Sequence, residues 1–286
     1  MILQTFVEIP ALDAFRLSLF SAGKKLAFVP TMGALHEGHI SLVKQARQNA
    51  DAVIASIFVN PSQFGPGEDF NRYPRTLTED AARLAEAGCD AVFLPNLVTI
   101  YPDNFQTWVR NEVLENDLCG ASRPGHFRGV LTVVLKLLNL VRPDVALFGK
   151  KDYQQWRLIE KMVDDLNVPV KILGGETVRE PDGLAMSSRN RYLQDGERPA
   201  AVAISRGLKA ALEKFRSGEL KVQVLLDLAS KEFAAQPTIK VEYLAICEQA
   251  SLAPVKESIS GAAVILVAAR LGELRLIDNM ELNPVG

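Results

Sequence analysis

Five short apolar runs separated by helical stretches constrain this chain more than any other feature. Residues 26–29 (LAFV), 52–59 (AVIASIFV), 91–94 (AVFL), 145–148 (VALF) and 170–173 (VKIL) are short and rich in β-branched or aromatic side chains. They read as strands. Between them, residues 40–49 place Leu42, Val43 and Ala46 on one helical face. Thr76 and Glu79 have capping-box spacing ahead of a helix that Gly88 can close. Val130, Val133, Val134, Leu137, Leu138 and Val141 recur at helical spacing before Arg142-Pro143 ends the pattern, and a further helix covers about 153–165. Continuous apolar strands alternating with helices predict a parallel sheet covered on both faces, a Rossmann-like α/β fold. Ligands of such sheets bind beyond the carboxyl ends of the strands, which singles out residues 36–39, 60–64 and 149–155.

The pattern changes after Gly174. Glu180-Pro181-Asp182-Gly183 is a strong turn signal, and the polar run 186–191 follows it. Helical segments at 199–215 and 222–234 precede strands at 241–247, 263–269 and 274–278, the last two joined by Leu271-Gly272-Glu273 as a hairpin. The expected organisation is a nucleotide-binding and catalytic domain over residues 1–178 and a smaller α+β lid domain over 179–286, with the boundary near 175–185. The chain has no internal repeat and no low-complexity segment.

Composition narrows the partners. With 286 residues, 48% of them apolar and 23% charged, a globular protein of one large or two ordinary domains is expected. A formal charge of -2 gives no reason to expect nucleic acid or an acidic membrane as a partner. No apolar run has the length to cross a bilayer, and the N-terminus lacks the pattern of a signal peptide, so a cytoplasmic location is expected. Cys89, Cys119 and Cys247 are odd in number and far apart, which suggests space-filling rather than disulfides or zinc.

Chemistry concentrates where the first apolar run ends. Pro30-Thr31-Met32-Gly33-Ala34-Leu35-His36-Glu37-Gly38-His39 is a strand end, a loop with two glycines and a helix start, an arrangement that presents backbone N–H groups to a phosphate. His36 and His39 fit phosphate donors or structural histidines; H-E-x-x-H metal binding is excluded because that motif needs its histidines four apart. Lys150-Lys151-Asp152 offers a point charge for a triphosphate or a solvated turn. Met186-Ser187-Ser188-Arg189 offers hydroxyls and a guanidinium on a Gly-flanked loop, a possible lid over phosphates. Asn60 and Gln63 suit a small polar substrate or the needs of their own loop, and Arg123 and Arg128 suit an anionic ligand or a subunit contact. No Ser–His–Asp or Cys–His arrangement can be picked out, so no covalent enzyme intermediate is expected.

Six ordered blocks resemble the pantothenate synthetase (pantoate–β-alanine ligase) family: P-T-M-G-A-L-H-E-G-H (30–39), F-V-N-P-S-Q-F (58–64), R-Y-P-R-T (72–76), S-R-P-G-H-F-R-G-V (122–130), F-G-K-K-D-Y-Q-Q (148–155) and D-G-L-A-M-S-S-R-N (182–190). His36-Glu37-Gly38-His39 is similar to the HIGH signature of nucleotidylyl transferases and class I aminoacyl-tRNA synthetases, and residues 186–189 to their KMSKS loop.

The resemblance implies that pantoate's carboxylate attacks ATP to give pantoyl adenylate and pyrophosphate, and that β-alanine's amine then displaces AMP. It implies an ATP site from Met32, Gly33, Ala34, Leu35, His36, Glu37, Gly38 and His39, completed by Gly149, Lys150, Lys151 and Asp152, by Val178, and by Met186, Ser187, Ser188 and Arg189. His39, His36, Lys151, Ser187, Ser188 and Arg189 would carry catalysis. Gln63, Asn60 and Gln155 would bind pantoate or β-alanine. Mg²⁺ would ride mainly on the nucleotide's oxygens, with Glu79 and Asp80 as acidic contacts, and the protein would be a homodimer. One departure stands out: Lys150 replaces the glutamate common in the family's F-G-E-K-D, leaving open whether it tightens ATP or points to solvent. Another adenylyl-transferring enzyme of the HIGH-motif group, or a nucleotide-binding protein without catalysis, are the alternatives.

Overall fold

The computed structural model describes residues 3–194 and 196–284. They form two compact units, one of the described residues up to Lys150 with Gln155–Glu176, the other of Lys151–Gln154 with the described residues from Thr177 onward.

In the first unit, chain order runs β1 (Gln4–Phe6), α1 (Ile9–Ser21), β2 (Leu26–Thr31), α2 (Glu37–Asn49), β3 (Ala52–Ile57), α3 (Leu77–Glu86) and β4 (Ala91–Phe93). Two single-turn helices, α4 (Leu97–Ile100) and α5 (Cys119–Ser122), precede α6 (His126–Val141), β5 (Val145–Gly149), α7 (Tyr153–Asp165) and β6 (Lys171–Gly175). The strands form one sheet in the order β1-β4-β3-β2-β5-β6, and every pairing is parallel. The apolar runs are strands because both faces of the sheet are covered. Ala27, Val29, Val53, Ala55, Val145 and Leu147 face Leu42, Val43 and Ala46 of α2 and Leu84 of α3. Alternate residues such as Phe28 and Ile54, both at 0% exposure, point the other way, and α6 lies against β2 and α1.

The sheet has six strands rather than the five predicted. β1 is three residues long with two of them exposed, so it carries no apolar run, and its pairing with β4 is a long-range contact. Strand order reverses between β2 and β5, where Ala27 faces Val145 and Phe28 faces Ala146. The crevice beyond those two carboxyl ends is the switch point of the sheet. All three cysteines are free and buried, and burial pushes the Cys89 thiol up to about 12, as expected of inert filler.

The second unit is built on an antiparallel sheet of β7 (Ile239–Glu248), β8 (Ala263–Leu271) and β9 (Leu274–Leu282), covered by α8 (Arg198–Arg216) and α9 (Val222–Ala234). Leu208 and Ala211 of α8, Leu225 and Ala229 of α9, and Ile265 and Val267 of β8 share one core. The Leu271–Leu274 pair closes the predicted hairpin, with Gly272 supplying the positive φ of +57°. No helix among the described residues is long and apolar enough to cross a membrane.

Candidate active site

The turn between β2 and α2 is closed from inside the protein. Thr31 Oγ1 donates to the Ser56 carbonyl at 2.8 Å and accepts from Gly33 N at 3.2 Å. Asp80, on the first turn of α3 and 2% exposed, accepts from Ala34 N at 2.9 Å and from Leu35 N at 2.8 Å, one bond per carboxylate oxygen. The expectation that this loop presents its N–H groups to a phosphate is therefore corrected at Gly33, Ala34 and Leu35. An internal hydroxyl and an internal carboxylate already occupy them. Two further readings change with it. The Thr76 hydroxyl goes to Asp80 Oδ2 at 3.1 Å instead of capping its helix, so Thr76 and Glu79 form no capping box. Asp80 and the exposed Glu79 also point apart, and no group of three His, Cys, Asp or Glu among the described residues could hold a metal ion. The Glu79–Asp80 pair does not fit a Mg²⁺ site.

The two histidines cap each other. His36 is the N-cap of α2: its Nδ1 accepts from Gly38 N at 3.1 Å, while His39 Nδ1 accepts from His36 N at 3.3 Å. The three-residue spacing is thus a capping box made of imidazoles. The ring centroids lie 4.2 Å apart, tilted by 45°. Because each Nδ1 accepts, the proton of each neutral ring sits on Nε2 and is a donor at the positive end of α2. Gly38 is required here: a Cβ on it would lie 2.9 Å from His36 Nδ1.

After β3, Asn60 is 1% exposed and fully engaged. Its Nδ2 donates to Gln63 Oε1 at 3.0 Å and to the Gly129 carbonyl at 3.2 Å, and its Oδ1 accepts from Ser62 N and the Tyr101 hydroxyl. Asn60, expected at the substrate site beside Gln63, holds the Gln63 side chain by its carbonyl end. Gln63 Nε2 lies 3.2 Å from Met32 Sδ, a weak acceptor. The Gln63 carbonyl takes a hydrogen bond from His126 Nδ1 at 2.8 Å, which makes His126 Nε2 the acceptor for Arg123 Nη1 at 2.8 Å. Arg123 also forks onto Glu68 at 2.8 and 2.6 Å. Partial burial disfavours the Glu68 carboxylate, but the Arg123 hydrogen bonds and charge outweigh it and lower its pKa from 4.5 to about 2.

A family model described as Pantoate-beta-alanine ligase matches residues 4–281. The chain belongs to that family. It is 50% identical over 258 residues to the pantothenate synthetase of Heliobacterium modesticaldum, covering 90% of this chain and 92% of that one. Among solved structures, pantothenate synthetase from Thermus thermophilus superposes with a TM-score of 0.93 at 45% identity, covering 99% of this chain and all of that one. Pantoate-beta-alanine ligase from Francisella tularensis gives 0.79 at 36% identity, with 97% of each chain covered.

The remaining expected positions of this pantoate–β-alanine ligase are each placed by local structure. Gly149 ends β5, and Lys150 follows it. Its ammonium pairs with Glu176 at 2.6 Å and lies 5.5 Å from the centroid of the Trp156 ring. Gln155 is half-buried on the first turn of α7. In the second unit Lys151 is half-buried, Asp152 is exposed, and the Lys151 carbonyl accepts from Asn279 Nδ2 at 2.9 Å. Val178 and Met186 are brought together: Met186 N donates to the Val178 carbonyl at 2.9 Å, closing a tight hairpin. The Ser187 hydroxyl accepts from Arg189 N at 3.2 Å as the N-cap of a 3-10 turn, and Ser188 is buried at 8% exposure.

Sequence reasoning passed over the residues that hold this hairpin. Arg179 forks onto Asp278 at 2.7 and 2.9 Å and donates to the Gly183 carbonyl at 3.1 Å. A signal existed for Asp80: it shares a face with Leu84 four residues on, an acid at an apolar position of an amphipathic helix.

Proposed function

We propose that this ligase works through an acyl adenylate. A pantoate carboxylate oxygen attacks the α-phosphorus of ATP, the bond to the bridging oxygen breaks, and pyrophosphate leaves. The β-alanine amine then attacks the acyl carbon, the acyl C–O bond breaks, and AMP leaves as the nitrogen gives up a proton. Activation is needed because a free carboxylate has no adequate leaving group. In this reading the Nε2–H groups of His36 and His39 donate to phosphate oxygens as charge builds at the five-coordinate phosphorus. Gln63 turns its Nε2 from the Met32 sulfur to pantoate and then to β-alanine, with Asn60 fixing its carbonyl end, while Gln155 contacts pantoate. Gly149 of the first unit and Lys151, Asp152, Val178, Met186, Ser187, Ser188 and Arg189 of the second are the further residues assigned to ATP, with Lys151 as the triphosphate contact, Val178 for the adenine, and residues 186–189 as the lid segment of a smaller domain beyond residue 178. Mg²⁺ arrives as part of the nucleotide substrate, and no step is assigned to a protein-held ion.

The observation that carries the reading is the reciprocal imidazole cap, which fixes two N–H donors at a helix N-terminus beside the switch point of the sheet. The Francisella relative, solved with beta-gamma ATP and β-alanine, supports the same substrates. Pyrophosphate exchange into ATP is expected to require pantoate and to proceed without β-alanine; exchange driven by an amino acid, or none with pantoate, contradicts the proposal. A cytoplasmic homodimer belongs to the same reading, and sedimentation at twice the 31.4 kDa chain mass tests the dimer.

A further inference from the structure

We infer that Asp80, assisted by Arg83, is the positioning residue that sets the geometry of His36 and His39 by acting as a built-in anion for the turn before them. Three main-chain polar groups of that turn are gripped from one face of α3. Asp80 holds the Ala34 and Leu35 N–H groups at 2.9 and 2.8 Å, and Arg83 Nη1 holds the Leu35 carbonyl at 2.8 Å. The turn would not adopt this shape unaided. Gly33 has φ +80°, and Ala34 sits at φ +51°, a conformation L-residues rarely adopt. The fit leaves no slack, since a Cβ on Gly33 would come to 3.0 Å from Asp80 Oδ2.

In a loop that binds phosphate through its own N–H groups, the ligand supplies the negative charge that orders the backbone. Here the charge is supplied in advance by a buried side chain, so the turn is set before a nucleotide arrives. The next residue is His36, whose ring position fixes the cap of α2 and whose N–H fixes His39. A carboxylate acting on the backbone of the two residues before His36 thereby directs both Nε2–H donors without touching substrate.

The three histidines provide a readout that a loss of stability would not mimic. The hydrogen bonds place the proton on Nε2 in His36 and His39 and on Nδ1 in His126. Long-range ¹H–¹⁵N spectra distinguish these tautomers. Asp80→Asn keeps the size of the side chain but turns an N–H₂ toward one of the two backbone donors. In folded Asp80→Asn the His36 and His39 tautomers are expected to mix while His126 stays as it is. The kcat of pyrophosphate exchange should fall about tenfold or more with the KM values for ATP and pantoate little changed. Wild-type tautomers at His36 and His39 together with wild-type kcat would overturn the inference.

If Asp80→Asn does not fold, Arg83→Gln removes one of the three grips from a side chain that is 43% exposed. It should mix the same tautomers and lower kcat, and a wild-type result in both measurements would overturn the inference equally. The inference rests on the role proposed above for the imidazoles, and the two fail separately. Undiminished exchange in His39→Ala defeats that role, whereas undisturbed tautomers in Asp80→Asn defeat the positioning.

Discussion

Two segments that the family resemblance assigns to ATP are held by opposite means. The turn between β2 and α2 is fixed through its main chain, by one buried carboxylate, one hydroxyl and two mutually capping rings. The Val178–Met186 hairpin is fixed by guanidinium groups, Arg179 on Asp278 and Arg198 on both Glu180 and Asp182. Buried bonds to backbone N–H groups are little affected by salt. The Arg198 side chain is 42% exposed, so its ion pairs are screened and individually weak. The difference teaches that one segment is held through its main chain, and the other through side-chain ion pairs, of which one is buried and the rest are open to salt.

His39→Ala tests the first half of this contrast and has the largest expected effect. With Asp80 still holding the turn, stability should fall by only about 1 kcal/mol, the cost of a lost cap, while adenylation slows by about 10²–10⁴-fold. A variant that turns over normally but melts far below wild type would make the ring a packing residue. Arg179→Ala tests the second half. It leaves Asp278, 4% exposed, without its partner, and chemical denaturation should show a loss of about 3–5 kcal/mol. A loss under about 1 kcal/mol would mean that the hairpin is held by its own main chain.

Glu68 asks whether the contrast belongs to the two segments or to the two units, because the first unit also uses a guanidinium fork, at Arg123. The Glu68 pKa is lowered on folding, so its stabilisation is complete above about pH 4.5 and is lost as the pH falls through about 2. Acid titration of stability should be flatter in Glu68→Gln, by an amount on the order of 2 kcal/mol across that window; identical curves would reject the coupling. Lys150→Glu has the smallest expected effect. Its partner Glu176 is 81% exposed, so stability should change by less than about 1 kcal/mol. A large change in ATP affinity in this variant would place Lys150 among the nucleotide contacts after all.

The sheet is legible in the sequence because both faces of its central strands are covered, which leaves the runs around Phe28, Ile54 and Leu147 unbroken. The strand Lys171–Gly175 lies slightly later than its apolar run suggests, because it ends on two glycines chosen for closeness rather than apolarity. A Cβ on Gly174 would lie 2.8 Å from Trp156 and one on Gly175 2.2 Å from Leu42. Within the site, the histidines are visible as a pair but their mutual capping is not, because a spacing of three fits both a phosphate donor pair and a helix cap. Asp80, Asn60 and Arg179 are hidden or misleading in the sequence for one reason. Each acts through groups distant in sequence: residues 34 and 35 for Asp80, Gly129 for Asn60, Asp278 for Arg179.

The central claim is that a carboxylate oxygen of pantoate becomes bonded to the α-phosphorus of ATP. Turnover of pantoate labelled with ¹⁸O in both carboxylate oxygens, followed by mass analysis of the products, tests it directly. The account predicts one ¹⁸O in AMP, one retained in the amide carbonyl of the product, and none in pyrophosphate. Unlabelled AMP, or label appearing in inorganic phosphate, would contradict it.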